Sequence, residues 1–173
     1  MMSESSTPGE ILTRAATRAD IPAIHAIYSE QVLHGTATWE YDPPDLAEMQ
    51  HRMEAVADGG FPYFVAEFRA EVVGYAYGSS YRQRAGYRFL VEDSIYIRED
   101  MRGRGVGKLL LPVLIAECSQ RGFTQMIAVI GDSENLGSIK LHRGCGFDLI
   151  GVFPKIGYKF GRWLDSVQML RAL

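Results

Sequence analysis

Apolar residues recur along the chain at two spacings, and the spacing assigns the elements. Residues 11–16 form a short apolar stretch that predicts a strand. Asp20-Ile21-Pro22 reads as a helix start, with Asp as the cap and Pro tolerated in the first turn. Ile24, Ile27, Tyr28 and Val32 then return at helical spacing and carry a first helix to about residue 32. Residues 34–39 read as a loop. Pro43-Pro44-Asp45 opens a second helix that closes near Asp58-Gly59-Gly60. Two strand-like runs, 63–68 and 72–81, flank Arg69-Ala70-Glu71 and predict a hairpin. A basic loop at 82–88 leads into a strand over 89–97, and a second loop spans 98–104. Val106, Leu109, Leu110, Val113, Leu114 and Cys118 mark one face of a helix that stops at Gly122, with Pro112 inside it. Residues 124–130 read as a buried strand. Asp132 or Ser133 can cap a helix from 134 to 143, closed by Gly144. Strands over 147–153 and 167–170 finish the chain.

The order is strand, two helices, three strands, helix, strand, helix, strands. That predicts a mixed α/β fold. Residues 11–173 are expected to form one domain behind a disordered segment at 1–10. A chain of 173 residues is long enough to bury a core, and 47% hydrophobic with 23% charged residues fits a globular protein. The formal net charge of -3 argues against a nucleic-acid partner. Basic residues cluster only at 82–88 and 98–108, which suits a small anionic ligand. Cys118 and Cys145 form neither a close pair nor a zinc set, so they read as reduced thiols of a cytoplasmic protein, and no metal is expected. The first ten residues lack the basic and apolar regions of a signal peptide. The longest apolar run, 109–116, falls far short of the roughly 20 residues that a membrane span needs, so no membrane partner is expected.

The chemistry concentrates at Arg102-Gly103-Arg104-Gly105-Val106-Gly107-Lys108. A strand, a glycine-rich basic loop and a helix together bind phosphate: the backbone can come close, free amides point at the anion, and the helix dipole adds to the field. The P-loop spacing fails, because Arg102 stands where its first glycine belongs and Leu109 follows Lys108. The dinucleotide spacing fails too, because Lys108 occupies the third glycine position. The pattern that fits is [QR]-x-x-G-x-[GA], as Arg102-x-x-Gly105-x-Gly107.

With this motif the sequence resembles the GNAT superfamily of N-acetyltransferases, in which the loop holds the pyrophosphate of CoA. Asp93-Ser94-Ile95-Tyr96-Ile97 resembles the family's central strand. The resemblance implies that backbone groups at Ile95, Tyr96 and Ile97 meet the acetyl carbonyl and the pantetheine. Glu134-Asn135-x-x-Ser138-x-x-Leu141-His142-x-x-x-Gly146-Phe147 resembles the second half of the cofactor site, where Asn135 matches the residue that bonds the pantetheine arm. The implied fold is a central, mostly antiparallel twisted sheet, splayed in the middle and flanked by helices. The implied co-substrate is acetyl-CoA, and the implied assembly is a homodimer.

Four segments resemble the phosphinothricin and methionine sulfoximine N-acetyltransferase branch more closely. They are Thr36-Ala37-Thr38-Trp39-Glu40, the loop from Tyr81 through Arg82, Gln83 and Arg84 to Arg88, Val91-Glu92-Asp93-Ser94-Ile95-Tyr96-Ile97, and Gly157-x-Lys159-Phe160-Gly161-Arg162-Trp163-Leu164-Asp165. Tyr81 replaces the branch's usual Trp, and Gln83 stands where Pro is common. An amino-acid-like acceptor carries an anionic head, so Arg82 and Arg84, with Gln83 between them, are the candidates to hold its carboxylate or phosphinate. Trp39 is a candidate pocket wall. Glu92, Ser94 and Tyr96 share one strand face, which aims Glu92 at the amine as base or anchor and adds Ser94 to the acceptor side. A strand-end amide near residues 95–97 suits the oxyanion. His142 stands seven residues after Asn135, where many relatives have Tyr, and is the candidate proton donor to the leaving thiolate. The expected reaction is acetylation of the α-amine of a small amino-acid analogue. The alternatives are a protein N-terminus or polyamine as acceptor, or a non-catalytic CoA-sensing module.

Overall fold

The computed structural model describes residues 9–173, so most of the segment expected to be disordered, residues 1–8, lies outside the described residues. Among the described residues, seven strands form one sheet in the order β1-β2-β3-β4-β5-β7-β6. They are β1 (Ile11–Ala15), β2 (Tyr63–Phe68), β3 (Glu71–Ser80), β4 (Leu90–Ile97), β5 (Gln125–Gly131), β6 (Asp148–Lys159) and β7 (Arg162–Ala172). Only β4 and β5 pair in parallel; the other five pairings are antiparallel. The α-helices among the described residues are α1 (Ile21–His34), α2 (Leu46–Asp58), α3 (Val106–Gln120) and α4 (Leu136–Gly144).

Strand alternation divides the core into two layers. Ala66, Val73, Ala76 and Val91 face α3 and pack with Leu110, Leu111 and Leu114. Val65 and Tyr75 face the other way and pack with Ile24, Ile27 and Val32 of α1 and Met49 of α2. The buried stripe of α3 is Val106, Leu110, Leu111, Leu114, Ile115 and Cys118. It is rotated from the expected stripe, so Leu109 is exposed and Val113 only half-buried. Pro112 sits on the solvent side of α3, where water can satisfy the carbonyl that loses its donor.

The helix starts differ from expectation in two places. The carboxylate of Asp20 does not cap α1; it turns back to accept from the Thr17 amide at 2.8 Å and from both terminal nitrogens of Arg14. Helix α4 starts at Leu136, and its cap is Asn135, whose Oδ1 accepts from the Ser138 amide at 3.3 Å. Asp132, one of the two expected caps, instead takes a left-handed conformation (φ 73°) at the end of β5. Asp45 does cap α2, accepting from the Glu48 amide at 2.8 Å.

The last two strands are much longer than their apolar runs. Phe160 (φ 54°) and Gly161 (φ 73°) make a two-residue turn with both residues left-handed, which matches the twist of a tight hairpin. A bulge between Phe153 and Gly157, with Lys155 at φ 53°, interrupts the alternation in β6. Glycines and Pro154 along β6 hide the strand from a periodicity reading. Among the described residues no helix is long and apolar enough to cross a membrane.

Candidate functional site

Strands β4 and β5 pair only from Leu90 to Asp93 and from Gln125 to Ala128, and beyond that rung they part. The Arg98 amide donates to the Val73 carbonyl on β3 at 2.9 Å, and main-chain direction alternates along a strand. Tyr96 therefore spends its main-chain groups on β3, while those of Ile95 and Ile97 turn toward the gap. Of residues 95–97, two therefore turn their main-chain groups toward the splay and one toward β3. Tyr96 instead contributes its ring, packed edge-on against Tyr28 at 5.3 Å.

A cleft of about 170 Å³ opens at this splay, and Trp39, Glu92, Ser94, Asn135, Ser138 and His142 are among the residues that line it. It runs through the sheet. Glu92 and Ser94 come from the α1 face of β4, whereas Asn135, Ser138 and His142 reach it from α4. Glu92 is half-buried, and its carboxylate meets no hydrogen-bond donor among the described residues. Burial, and then the charge of neighbouring Asp93, push its pKa up to about 7. Asn135 commits Oδ1 to the helix cap, so its Nδ2 is left to donate into the cleft.

The glycine loop begins five residues beyond β4. Gly103 (φ 72°) and Gly105 (φ 86°) are both left-handed, with open space where a Cβ would stand. Among the described residues no backbone or side-chain acceptor meets the amides of Gly103, Arg104 or Gly105. Those amides, with the first turn of α3 at Val106, Gly107 and Lys108, make an anion cradle. Arg102, Arg104 and Lys108 are exposed and form no ion pair among the described residues, so their charge is available to a phosphate. Gly107 has a second reason to be glycine: a Cβ there would come within 2.7 Å of Leu141, so it lets α4 pack against α3.

His142 differs from expectation. Its Nδ1 donates to the Ser138 carbonyl at 2.8 Å, and its Nε2 lies 2.9 Å from the Asp93 carboxylate. Both ring nitrogens are engaged within the protein, so neither is left to protonate a leaving group directly. Arg82, Gln83 and Arg84 also lie apart from the cleft lining. All three are exposed, and the Arg82 guanidinium stacks on Tyr81 and Tyr87 at 5.1 and 5.6 Å. Their loop enters β4 two residues before Glu92.

The β6–β7 hairpin braces both walls of the cleft without lining it. Lys159 is buried, and its Nζ donates to the carbonyls of Gly35 (2.8 Å), Thr38 (2.9 Å) and Gln31 (3.4 Å). Burial holds its pKa below the usual lysine value. Gly157 lies flat under Trp39; a Cβ there would fall 2.0 Å from the indole. Tyr41 donates to the Tyr158 carbonyl, and Tyr28 bonds both Thr38 and Glu40, with Arg52 clamping Glu40 in turn. The loop at 35–41 is thus fastened to β6. On the opposite wall, Asp165 accepts from Ser133 Oγ and the Lys155 amide, its carbonyl accepts from the Asp132 amide, and Arg162 pairs with Asp132 at 2.9 Å. These bonds fix the turn into α4 that presents Asn135. Sequence reading missed these roles of Gly157, Lys159, Arg162 and Asp165, and the pairing of Asp93. Its one signal was that the 157–165 ending and the 36–40 loop carry the same resemblance.

A model of the acetyltransferase (GNAT) domain family matches residues 13–168. The chain is 51% identical over 154 residues to the phosphinothricin N-acetyltransferase of Alcaligenes faecalis, an alignment covering 89% of this chain and 78% of that protein. It is 46% identical over 157 residues to the L-methionine sulfoximine/L-methionine sulfone acetyltransferase of Pseudomonas paraeruginosa, covering 90% and 91%. Among solved structures, a GNAT superfamily phosphinothricin acetyltransferase from Sinorhizobium meliloti in complex with acetyl-CoA superposes with a TM-score of 0.91 at 49% identity, covering 94% of this chain and 88% of the other.

Lys159→Met keeps the length of the buried stem but leaves the carbonyls of Gly35 and Thr38 without their donor; that of Gln31 still accepts from the Gly35 amide. The substitution should lower stability by on the order of 2 kcal/mol in urea unfolding and expose residues 35–41 to limited proteolysis. Wild-type stability with unchanged cleavage would refute the fastening role.

Proposed function

The chain belongs to the GNAT acetyltransferase family, and on that premise we propose that it moves the acetyl group of acetyl-CoA to the α-amine of a small amino-acid analogue of the phosphinothricin, methionine sulfoximine or methionine sulfone type. The observation that carries this reading is the unpaired, half-buried Glu92, with a pKa of about 7, set in a cleft where the sheet parts and just ahead of an anion cradle. One domain over residues 11–173 performs the reaction.

Residues 102–108 take the pyrophosphate of CoA, and the main chain at Ile95 and Ile97, with Asn135 Nδ2, takes the pantetheine arm. The amine arrives as an ammonium, and Glu92 anchors it and accepts its proton. The nitrogen lone pair then forms a bond to the thioester carbon. The carbonyl oxygen gains negative charge near the strand-end amides; as the C=O bond re-forms, the C–S bond breaks with its electrons on sulfur, and the second proton of the nitrogen passes to the thiolate through solvent. Ser94 and Trp39 wall the acceptor side. Arg82, Gln83 and Arg84 hold the acceptor's anionic head from the loop that leads into β4. Their charge favours carboxylate- or phosphinate-bearing acceptors over polyamines.

The assembly we propose is a homodimer in the cytoplasm. Strand β6 is an edge of the sheet, and Ile150, Phe153 and Ile156 on it are 61%, 52% and 60% exposed. A long apolar edge of this kind favours association, and a second copy would cover it. The free thiols Cys118 and Cys145 suit a reducing compartment. Light scattering should give twice the chain mass, and replacing Ile150 and Phe153 together by Lys should return a monomer; a monomeric wild type would rule the dimer out.

Thiol release from acetyl-CoA should be fastest with phosphinothricin, methionine sulfoximine or methionine sulfone in a panel that also holds polyamines and peptide N-termini. Turnover confined to peptides or polyamines would overturn the acceptor assignment. Because a base acts ionised, wild-type kcat/KM should be full above pH of about 7 and fall as pH drops through that value. Glu92→Gln should lower kcat/KM by about 100-fold or more and remove this limb. An unchanged rate and profile would take Glu92 out of the mechanism.

A further inference from the structure

The Asp93–His142 pair is unlike the other ion pairs. Its two side chains are 1% and 2% exposed, whereas Arg14–Glu67 and Arg98–Asp100 are open to water. Its place is also specific. Asp93 is the last β4 residue that pairs with β5, opposite Ala128, so the splay begins at the next residue. His142 comes from the helix that carries Asn135 and Ser138 onto the cleft wall.

The hydrogen-bond pattern fixes where the protons are. The Ser138 carbonyl can only accept, so Nδ1 of His142 carries a hydrogen. Nε2 at 2.9 Å from an Asp93 carboxylate oxygen then requires a second proton between them, since two lone pairs would repel. The pair thus holds a shared proton in a dry site. Burial alone would depress the ring's pKa; the charge of Asp93 and its hydrogen bond outweigh that, and the net direction is up. Among the described residues, only Asp93 acts on the ring through its charge. Neighbouring strands offer Gly78 and Ala128. Helix α3 offers Cys118, whose thiol burial pushes up to about 12. Cys145 follows α4, its thiol also pushed up by burial, and Arg171 of β7 gives one nitrogen to the Cys145 carbonyl and keeps its charge, with its buried Nε unpartnered. Glu92 points to the opposite face of β4.

We propose that Asp93 is a positioning residue: by sharing a proton with His142 at the last rung before the splay, it clamps α4 to β4 and so fixes Asn135 and Ser138 on the wall that receives CoA. The proposal rests on the acetyltransferase reading of the cleft. It makes His142 part of the clamp rather than the acid that protonates the leaving thiolate.

The test is calorimetric titration with coenzyme A, alongside KM for acetyl-CoA and kcat with methionine sulfone. Asp93→Ala should weaken coenzyme A binding and raise KM for acetyl-CoA by about tenfold, with kcat at saturating cofactor within about threefold of wild type. Asp93→Asn should restore binding at neutral pH, because its amide can donate to Nε2 of a neutral ring whose Nδ1 still meets Ser138. The raised pKa belongs to the folded state, so the wild-type clamp is complete below the ordinary histidine range and loosens as pH rises through the raised value. Wild-type affinity should weaken over that range relative to Asp93→Asn, which also controls for titration of coenzyme A itself. Unchanged affinity in Asp93→Ala, or a fall in kcat with affinity intact, would overturn the clamp. Should Asp93→Ala fail to fold, a wild-type pH dependence identical to that of Asp93→Asn would overturn it instead. Failure of the wild type to bind coenzyme A would sink the acetyltransferase reading, whereas binding indifferent to Asp93 would sink the clamp alone.

Discussion

The parting of β4 from β5 after Asp93 and Ala128 is the constraint on which the rest of the structure depends. A sheet interior normally spends every main-chain donor and acceptor on its ladder. Here one seam stops short, and Ile95 and Ile97 keep groups that only a ligand or water can satisfy. The gap is covered on both sides. The Thr36 carbonyl lies so close to Gly131 that a Cβ would meet it at 2.2 Å, and Trp39 packs beside it. A loop thus lines the gap on one side, and the helix that carries Ser138 and His142 lines it on the other.

That loop and that helix are both held by the hairpin at the far edge of the sheet. Lys159 and Gly157 fasten residues 35–41, and Arg162 and Asp165 fasten the turn into α4. The conformation of two residues, Phe160 and Gly161, sets the register of all four. A buried lysine is costly unless its ammonium is satisfied, and three carbonyls meet that need. That need ties the Gly35 and Thr38 carbonyls to one point and so places the loop as a wall.

Two neighbouring carboxylates show how environment divides labour along one strand. Asp93 points toward α4, finds an imidazole, and is locked into the packing. Glu92 points the other way, finds no donor, and is driven by burial toward a neutral-pH titration. One residue of strand register separates a structural acid from a candidate base.

Much of this was legible in the sequence. Apolar periodicity gave the order of elements, since burial on one side of a helix or strand must repeat at 3.6 or 2 residues. The spacing of Gly105 and Gly107 after Arg102 gave the anion cradle, because only glycine adopts the left-handed turn seen at Gly105 without strain. Strand alternation put Glu92 and Ser94 on one face. The lengths of β6 and β7 were not legible, because glycines, Pro154 and a bulge break the alternation that would announce them. Nor was the partnership of Asp93 with His142, 49 residues apart, or the reach of Lys159 to carbonyls more than 120 residues earlier. Side-chain type and spacing set what each residue can do locally. Which buried charge meets which partner is decided only when distant segments pack, because the free energy of a buried proton or ammonium depends on the few groups that surround it in three dimensions.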